Sequence, residues 1–267
     1  MKVLGIVVEY NPFHNGHIYH INKAKELIHP DYTIAVMSSS FVQRGEPAII
    51  DKWTRSELAI AYGVDLVIEL PFVYSVQSAD YFAKGSIELL NAIGVTDLVF
   101  GSEDGNIETF KKIASTIKEN QNDYDLLVNE YMKQGYRYPD ACNQALKKLL
   151  NHEVRTPNDL LGLAYVKEII NHDYAMIPHC INRTNDYHGD DLSSISSASA
   201  IRKALFNQED VSHTLPHLQQ YQEIYHLDMF YPYLKYQILT SSIEELKSYS
   251  YSFILNYFNF FNITIKK

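Results

Sequence analysis

Residues 9–20 read EYNPFHNGHIYH. His14, His17 and His20 fall at steps of three, and Gly16 sits directly before the second of them. The flanks decide how the stretch folds. Before it, Val3 to Val8 is an apolar, β-branched run of the length of a buried strand. After it, Ile18, Ile21, Ala24, Leu27 and Ile28 recur at helical spacing, with Lys23, Lys25 and Glu26 between them. Asn11 and Pro12 supply turn chemistry. The stretch therefore predicts strand, tight loop, helix. His17 falls near the first helical turn, where backbone N–H groups lack partners and the dipole is positive. A loop leaving a strand into a helix N-terminus is a ready anion site, and phosphate is the usual anion. The competing reading is a metal site. A histidine pair at i, i+3 is not the usual i, i+4 helical metal pair, although Glu9 is close in sequence, and no metal ligand is assigned. His20, taken alone, reads as a helix-face or core histidine.

The same alternation continues outward. YTIAVMSSS gives a second strand over about Tyr32 to Met37. FVQRGEPAIIDKWTRSELAIAYGVD gives a loop and a helix, with Trp53, Leu58, Ala59 and Ala61 as its apolar face and Gly63 as its end. DLVIELPF is a third strand, closed by Pro71, and SADYFAKGSIELLNAIG a helix ending at Gly94. TDLVFGSE is a fourth strand from Asp97 to Gly101, followed by the helix NIETFKKIASTIKEN. Residues 120–170 read mainly as helix, most clearly TPNDLLGLAYVKEII, which Thr156, Pro157 and Asn158 open. YAMIPHCINR is a fifth strand, and the serines of DLSSISSASAIRKALF precede a short helix. Near-continuously apolar strands alternating with amphipathic helices predict an α/β protein with a doubly wound parallel sheet, covered on both faces. In such sheets ligands bind beyond the carboxyl ends of the strands, at the topological switch point. That rim is expected to hold His14, His17, Ser38, Arg44, Gly101 and Arg183, a convergence of donors suited to a polyphosphate. Trp53 is expected in the core, and Lys147 and Lys148 on a solvated face.

Composition narrows the class. Of 267 residues, 46% are hydrophobic and 21% charged, ordinary for a globular chain with a sizeable core. The net charge of −9 argues against a surface that grips nucleic acid all over, but leaves room for a local basic patch. The opening apolar run is too short for a signal peptide and is closed by Glu9, and no stretch of about 18 apolar residues occurs. No membrane partner and a cytoplasmic location are expected. Cys142 and Cys180 lie far apart and form no C-x-x-C pair, which fits structural thiols in a reducing compartment. Beyond Gln208 only short helical pieces are expected.

Several longer strings carry a resemblance. NPFHNGH after the first strand and ISSASAIR late in the chain resemble the HIGH-motif nucleotidyltransferase and synthetase superfamily. More closely, GIVVEYNPFHNGHIYH, FVQRGEPAIIDKWTR, GVDLVIELPF, FGSE and ISSASAIRKAL are similar to the tRNA(Met) cytidine acetate ligase family over roughly residues 1–205. The resemblance implies a HUP/Rossmann-like domain. It implies an ATP-dependent ligase that activates acetate to acetyl-adenylate. The acetyl group would then pass to N4 of the wobble cytidine of elongator tRNA(Met), with Mg²⁺ accompanying the nucleotide. It further implies that an ATP site is lined by the whole of the first loop: Val7, Val8, Glu9, Tyr10, Asn11, Pro12 and Phe13, then His14, Asn15, Gly16, His17, Ile18, Tyr19 and His20. Gly101, Asn158 and Arg183 would be further nucleotide contacts. His14 and His17 would serve the phosphates as catalytic donors, and Ser196, Ser197 and Arg202 would form a second phosphate-binding motif.

Residues 1–205 are expected to form the catalytic nucleotide-binding domain, and residues 206–267 a helical C-terminal segment that is altered or incomplete. There the chain runs into YSYSFILNYFNFFNITIKK, whose aromatic residues hold neither a helical nor a strand period and depart from the family. Two other functions compete with the ligase. One is a nucleotidyltransferase acting on a small phosphorylated substrate. The other is a nucleotide- or tRNA-binding module with impaired catalysis.

Overall fold

Five parallel strands stand in the order β3-β2-β1-β4-β5. They are β1 (Val3–Val8), β2 (Tyr32–Ser38), β3 (Leu66–Leu70), β4 (Asp97–Ser102) and β5 (Ile177–Asn182). This is a computed structural model, and it describes residues 1–151, 154, 156–182, 197–217, 221, 223–242 and 244–245. The helices are α1 (Asn15–Ile28), α2 (Lys52–Ala61), α3 (Phe72–Ser75), α4 (Ala79–Ala92) and α5 (Ile107–Glu119). They continue with α6 (Gln121–Lys133), α7 (Tyr138–Leu150), α8 (Pro157–Asn171), α9 (Ala198–Phe206) and α10 (Tyr231–Thr240). The expected α/β class, its five strands and the helical stretch between β4 and β5 are all present. The aromatic end from residue 249 lies outside the described residues.

The two-residue period of a strand distributes β1 between two cores. Leu4, Ile6 and Val8 face a core completed by Ile21, Ala24 and Ile28 of α1 and by Leu58 and Ala59 of α2. Val3 faces the other, built by Phe82, Ile87 and Leu90 of α4, Phe110 and Ile113 of α5, and Leu163, Val166 and Ile169 of α8. Each fully buried aliphatic side chain contributes roughly 1.5–3 kcal/mol of transfer free energy, so both faces are anchored. The central strands β1, β2 and β4 are buried almost throughout. The edge strand β3 departs from the expected continuous burial: Leu66, at its start, is 47% exposed, and β3 ends the sheet among the described residues.

Helix α2 departs from its expected apolar face. Its buried residues are Arg55, Leu58 and Ala59. Trp53 lies off that stripe and is 69% exposed, with the Lys52 ammonium 5.1 Å from the indole centroid. Ala61 is exposed as well. The helical spacing of three and four is intact, but an arginine occupies its first position.

The switch point of this sheet lies between β1 and β4, since the chain winds outward from β1 through β2 to β3 and returns to start β4 on the other side. No helix among the described residues is long and apolar enough to cross a membrane.

Candidate functional site

A cavity of about 350 Å³ opens at the carboxyl ends of β1 and β4, within the usual range for small-molecule sites. Val7, Val8 and Glu9 at the end of β1 line it, beside Phe100 and Gly101 of β4 and Ile181 and Asn182 of β5. With them stand His14, Gly16, His17, Tyr19 and His20 of α1 and its lead-in, Asn158, Leu161 and Tyr165 of α8, and Ser197, Ala198 and Arg202 of α9.

The histidines are parts of a helix cap. His14 is the N-cap of α1, and its Nδ1 accepts the Gly16 N–H at 3.0 Å. His17, three residues on, accepts the His14 N–H at its own Nδ1 at 3.2 Å. Two imidazoles thus play the parts that Ser/Thr and Glu/Gln play in a common capping box. A ring that accepts at Nδ1 carries its proton on Nε2, so both rings offer an Nε2–H donor. Their centroids lie 3.9 Å apart. Tyr10 packs edge-on against His17 at 4.8 Å, and Phe13 edge-on against Tyr10 at 4.8 Å, fixing the rings from behind.

The loop is tied down from below by Arg55, which is completely buried. Its guanidinium donates to the carbonyl oxygens of Glu9 (2.7 Å), Ser38 (3.2 Å), Ser39 (2.6 Å) and Ile50 (3.0 Å). One side chain thereby joins the ends of β1 and β2 to the start of α2. Burial pulls its pKa down to about 10, against the charges of Glu9, Asp51 and Glu69, which raise it. It remains a cation at neutral pH.

Glu9 is the cavity's carboxylate. Its Oε1 accepts the Gln43 N–H at 2.7 Å. Burial pushes its pKa up, while that hydrogen bond and the charges of Arg44, Arg202 and Arg55 pull the other way. Arg202 donates from Nη1 to the Asn11 carbonyl at 2.8 Å, which fastens α9 to the first loop, and burial lowers its pKa. Ser197 caps α9 by accepting the Ala200 N–H at 3.2 Å. The β4 side of the cavity has its own fastening. Asp159 Oδ1 accepts the Ser102 hydroxyl at 2.6 Å and the Glu103 N–H at 3.0 Å, locking the end of β4 to the first turn of α8.

Most of the expected site residues come together here. Val7, Val8, Glu9, Tyr10, Asn11, His14, Gly16, His17, Tyr19, His20, Gly101, Asn158, Ser197 and Arg202 all line the cavity. Pro12, Phe13, Asn15 and Ile18 stand behind the wall. Phe13 is fully buried and stacks on Tyr62 at 5.6 Å. Asn15 is turned to the Thr214 and His213 carbonyls, and Ile18 packs on the core beneath α1. Arg183 and Ser196 lie outside the described residues.

Two rim residues expected from the strand ends are not on the wall. Ser38 is wholly buried beneath it, and Arg44 is exposed on the loop after β2. Sequence reasoning missed Arg55, Tyr165 and Asp159. Tyr165 had a signal, since it falls on the same face of α8 as Asn158 and Leu161. Among the described residues, no group of three or more His, Cys, Asp or Glu side chains could hold a metal ion. Both cysteines are free thiols, and burial raises the pKa of Cys180 to about 11.

Comparisons with known proteins agree with this geometry. A profile of the HIGH nucleotidyl transferase family matches residues 1–252. A tRNA(Met) cytidine acetate ligase of Geobacillus sp. (strain WCH70) is 42% identical over 265 residues, which is 92% of this chain and 66% of that protein. The protein of the same name from Mycoplasma mobile is 41% identical over 249 residues, 92% of this chain and 83% of the other. The crystal structure of Thermotoga maritima TmcAL bound with alpha-thio ATP superposes with a TM-score of 0.74 at 40% identity, covering 89% of this chain and 56% of that one. The chain thus spans just under two thirds of the Geobacillus relative and little more than half of the Thermotoga one.

Proposed function

This chain belongs to the HIGH nucleotidyl transferase family, among the tRNA(Met) cytidine acetate ligases, and we propose that its cavity binds ATP and adenylates acetate. In this reading an acetate oxygen attacks the α-phosphorus of ATP, pyrophosphate leaves, and acetyl-adenylate remains. The acetyl group then passes to N4 of the wobble cytidine of elongator tRNA(Met), giving N4-acetylcytidine and AMP. Residues 1–205 carry the nucleotide chemistry, and the reaction belongs in the cytoplasm with its tRNA.

The observation that carries the reading is the reciprocal cap that His14 and His17 form through Nδ1 at the head of α1, at the sheet's switch point. Acetate alone is a poor acyl donor, because oxide or hydroxide would have to leave. During attack on phosphorus, negative charge builds on the phosphoryl oxygens and on the departing pyrophosphate. His14 and His17 donate to those oxygens, the backbone amides of α1 add the positive end of a helix dipole, and Arg202 supplies a fixed cation. All three are held before the nucleotide arrives, by the capping box and by the Arg202–Asn11 hydrogen bond, so little reorganisation is needed.

The donor set also fits a nucleotide-borne Mg²⁺. Glu9 is the one carboxylate among the described lining residues and already accepts from Gln43, which suits an ion held chiefly by phosphates and water. Bound there, the ion would neutralise phosphate charge.

The second step asks for an activated acyl group because the N4 amine is delocalised into its ring and is a weak nucleophile. The cytidine must also be held out of the base stack to reach the cavity. The test is incubation with ATP, acetate and unmodified elongator tRNA(Met), followed by nucleoside mass analysis. N4-acetylcytidine that appears only with all three substrates supports the proposal. Its absence, together with transfer of AMP to a small phosphorylated substrate, overturns it.

A further inference from the structure

The cavity lining contains a side chain whose orientation is dictated by a neighbour outside the cavity. Glu103 follows β4 and does not line the cavity. Its carboxylate accepts the Asn158 Nδ2–H on Oε1 at 2.5 Å, and its Oε2 lies 2.9 Å from the Thr156 hydroxyl, whose single proton it shares with Asp159 Oδ2 at 2.6 Å. Glu103 is itself fixed, because its own N–H donates to the buried carboxylate of Asp159.

Asn158 does line the cavity. Its carboxamide is planar, with donor and acceptor at opposite ends. The flipped arrangement would set two oxygens against each other, so the carboxylate enforces the orientation with Nδ2 outward. Among the described residues Oδ1 accepts no hydrogen bond. What Asn158 contributes to the cavity is therefore a pinned acceptor. It lines the cavity together with Gly101, Ile181 and Asn182.

We propose that Glu103 is a positioning residue that sets the base preference of the cavity, by holding Asn158 with its oxygen turned toward the nucleobase. This rests on the reading of the cavity as a nucleotide site. A purine with an amine at C6 donates to that oxygen, whereas a purine with a carbonyl at C6 meets it oxygen to oxygen. Sites built around one fixed hydrogen bond reject the analogue that cannot make it, because a desolvated polar group is left unpaired. The preference expected here is about 10- to 100-fold.

The test compares ATP with ITP, which differs by that amine-to-carbonyl exchange, using titration calorimetry on the full chain. The unmodified protein binds ATP more tightly than ITP by the factor above. In Glu103→Gln the new amide can donate to Asn158 Oδ1 and release the flip, so the ATP:ITP ratio falls to near one or inverts. Asn158→Ala weakens ATP and leaves ITP nearly unchanged, and it decides the matter should Glu103→Gln not fold. A merely structural role for Glu103 would lower both affinities in proportion, and unchanged ratios in the variants overturn this inference while leaving the nucleotide site standing. An unmodified protein that binds neither nucleotide overturns both.

Discussion

His14 and His17 cap one helix reciprocally, each ring accepting a backbone N–H at Nδ1, with the two centroids 3.9 Å apart. The cap and the proposed chemistry thus use opposite edges of the same rings, and substitution can separate them.

Asparagine is a strong N-cap residue, so His14→Asn should keep the cap while removing the Nε2–H donor. Its melting temperature is expected within a few degrees of the unmodified protein, while adenylate formation falls about 100- to 1000-fold, the usual cost of one such donor. His14→Ala should lose both, with about 1 kcal/mol of added instability. Thermal melts read alongside acetyl-adenylate yield check the pair. Unchanged acetyl-adenylate formation in His14→Asn and in His17→Ala would remove the histidines from the chemistry.

Arg55 is fully buried and donates to five carbonyl oxygens, those of Glu9, Ser38, Ser39, Ile50 and, at 3.4 Å, Asp51. Arg55→Met leaves them unpaired and is expected to destabilise the fold by about 3–5 kcal/mol. Arg55→Lys should rescue little, since one ammonium cannot span the fork of a guanidinium. The check is the urea midpoint of each variant. A shift worth less than about 1 kcal/mol would show that water can replace the guanidinium.

Glu9 makes stability depend on pH in a definite direction. Burial raises its folded pKa above the ordinary 4.5, so between those two values the folded state binds more protons than the unfolded chain. Stability from this group is present below about the ordinary carboxylate pKa and is lost as pH rises through the folded value. Glu9→Gln should therefore be more stable than the unmodified protein at neutral pH and should show a flatter decline above pH 4.5. Equilibrium unfolding at a series of pH values checks this. A steeper decline in the variant would mean that the surrounding arginines outweigh burial.

Gly162 is where α8 crosses β4. A Cβ there would clash with the Phe100 ring, and Phe100 lines the cavity. Gly162→Ala is expected to cost about 1–3 kcal/mol by overpacking and to push the ring toward the nucleotide, weakening ATP binding. Calorimetry on the folded variant checks the second effect, and ATP affinity equal to the unmodified protein would show that the ring yields elsewhere.

How much of this was legible in the sequence follows from the range of the forces involved. The strand, loop and helix around His14 were, because period-two and period-3.6 patterns and turn residues are local signals. His14, His17 and Gly101 followed, since a parallel sheet collects its βα loops on one edge, but the same rule put Ser38 and Arg44 there, and Asn158, Ser197 and Arg202 came from the resemblance of their motifs to a family. Arg55 was not, because its partners lie as far off as Glu9, 46 positions away, and an apolar stripe gives no hint that an arginine will fill one of its places. Trp53 was misplaced for the complementary reason: an aromatic residue next to a stripe looks like part of it. Glu103 and Asp159 act through hydrogen bonds between β4 and α8, which no pattern along either element encodes.

The most direct measurement is exchange of radiolabelled pyrophosphate into ATP with and without acetate, because it reads the adenylation step without requiring tRNA. The expected result is exchange that depends on acetate and falls about 100-fold or more in His17→Ala. ATP binding with no acetate-dependent exchange, or exchange indifferent to His17, would contradict the assignment of this cavity to acetate activation.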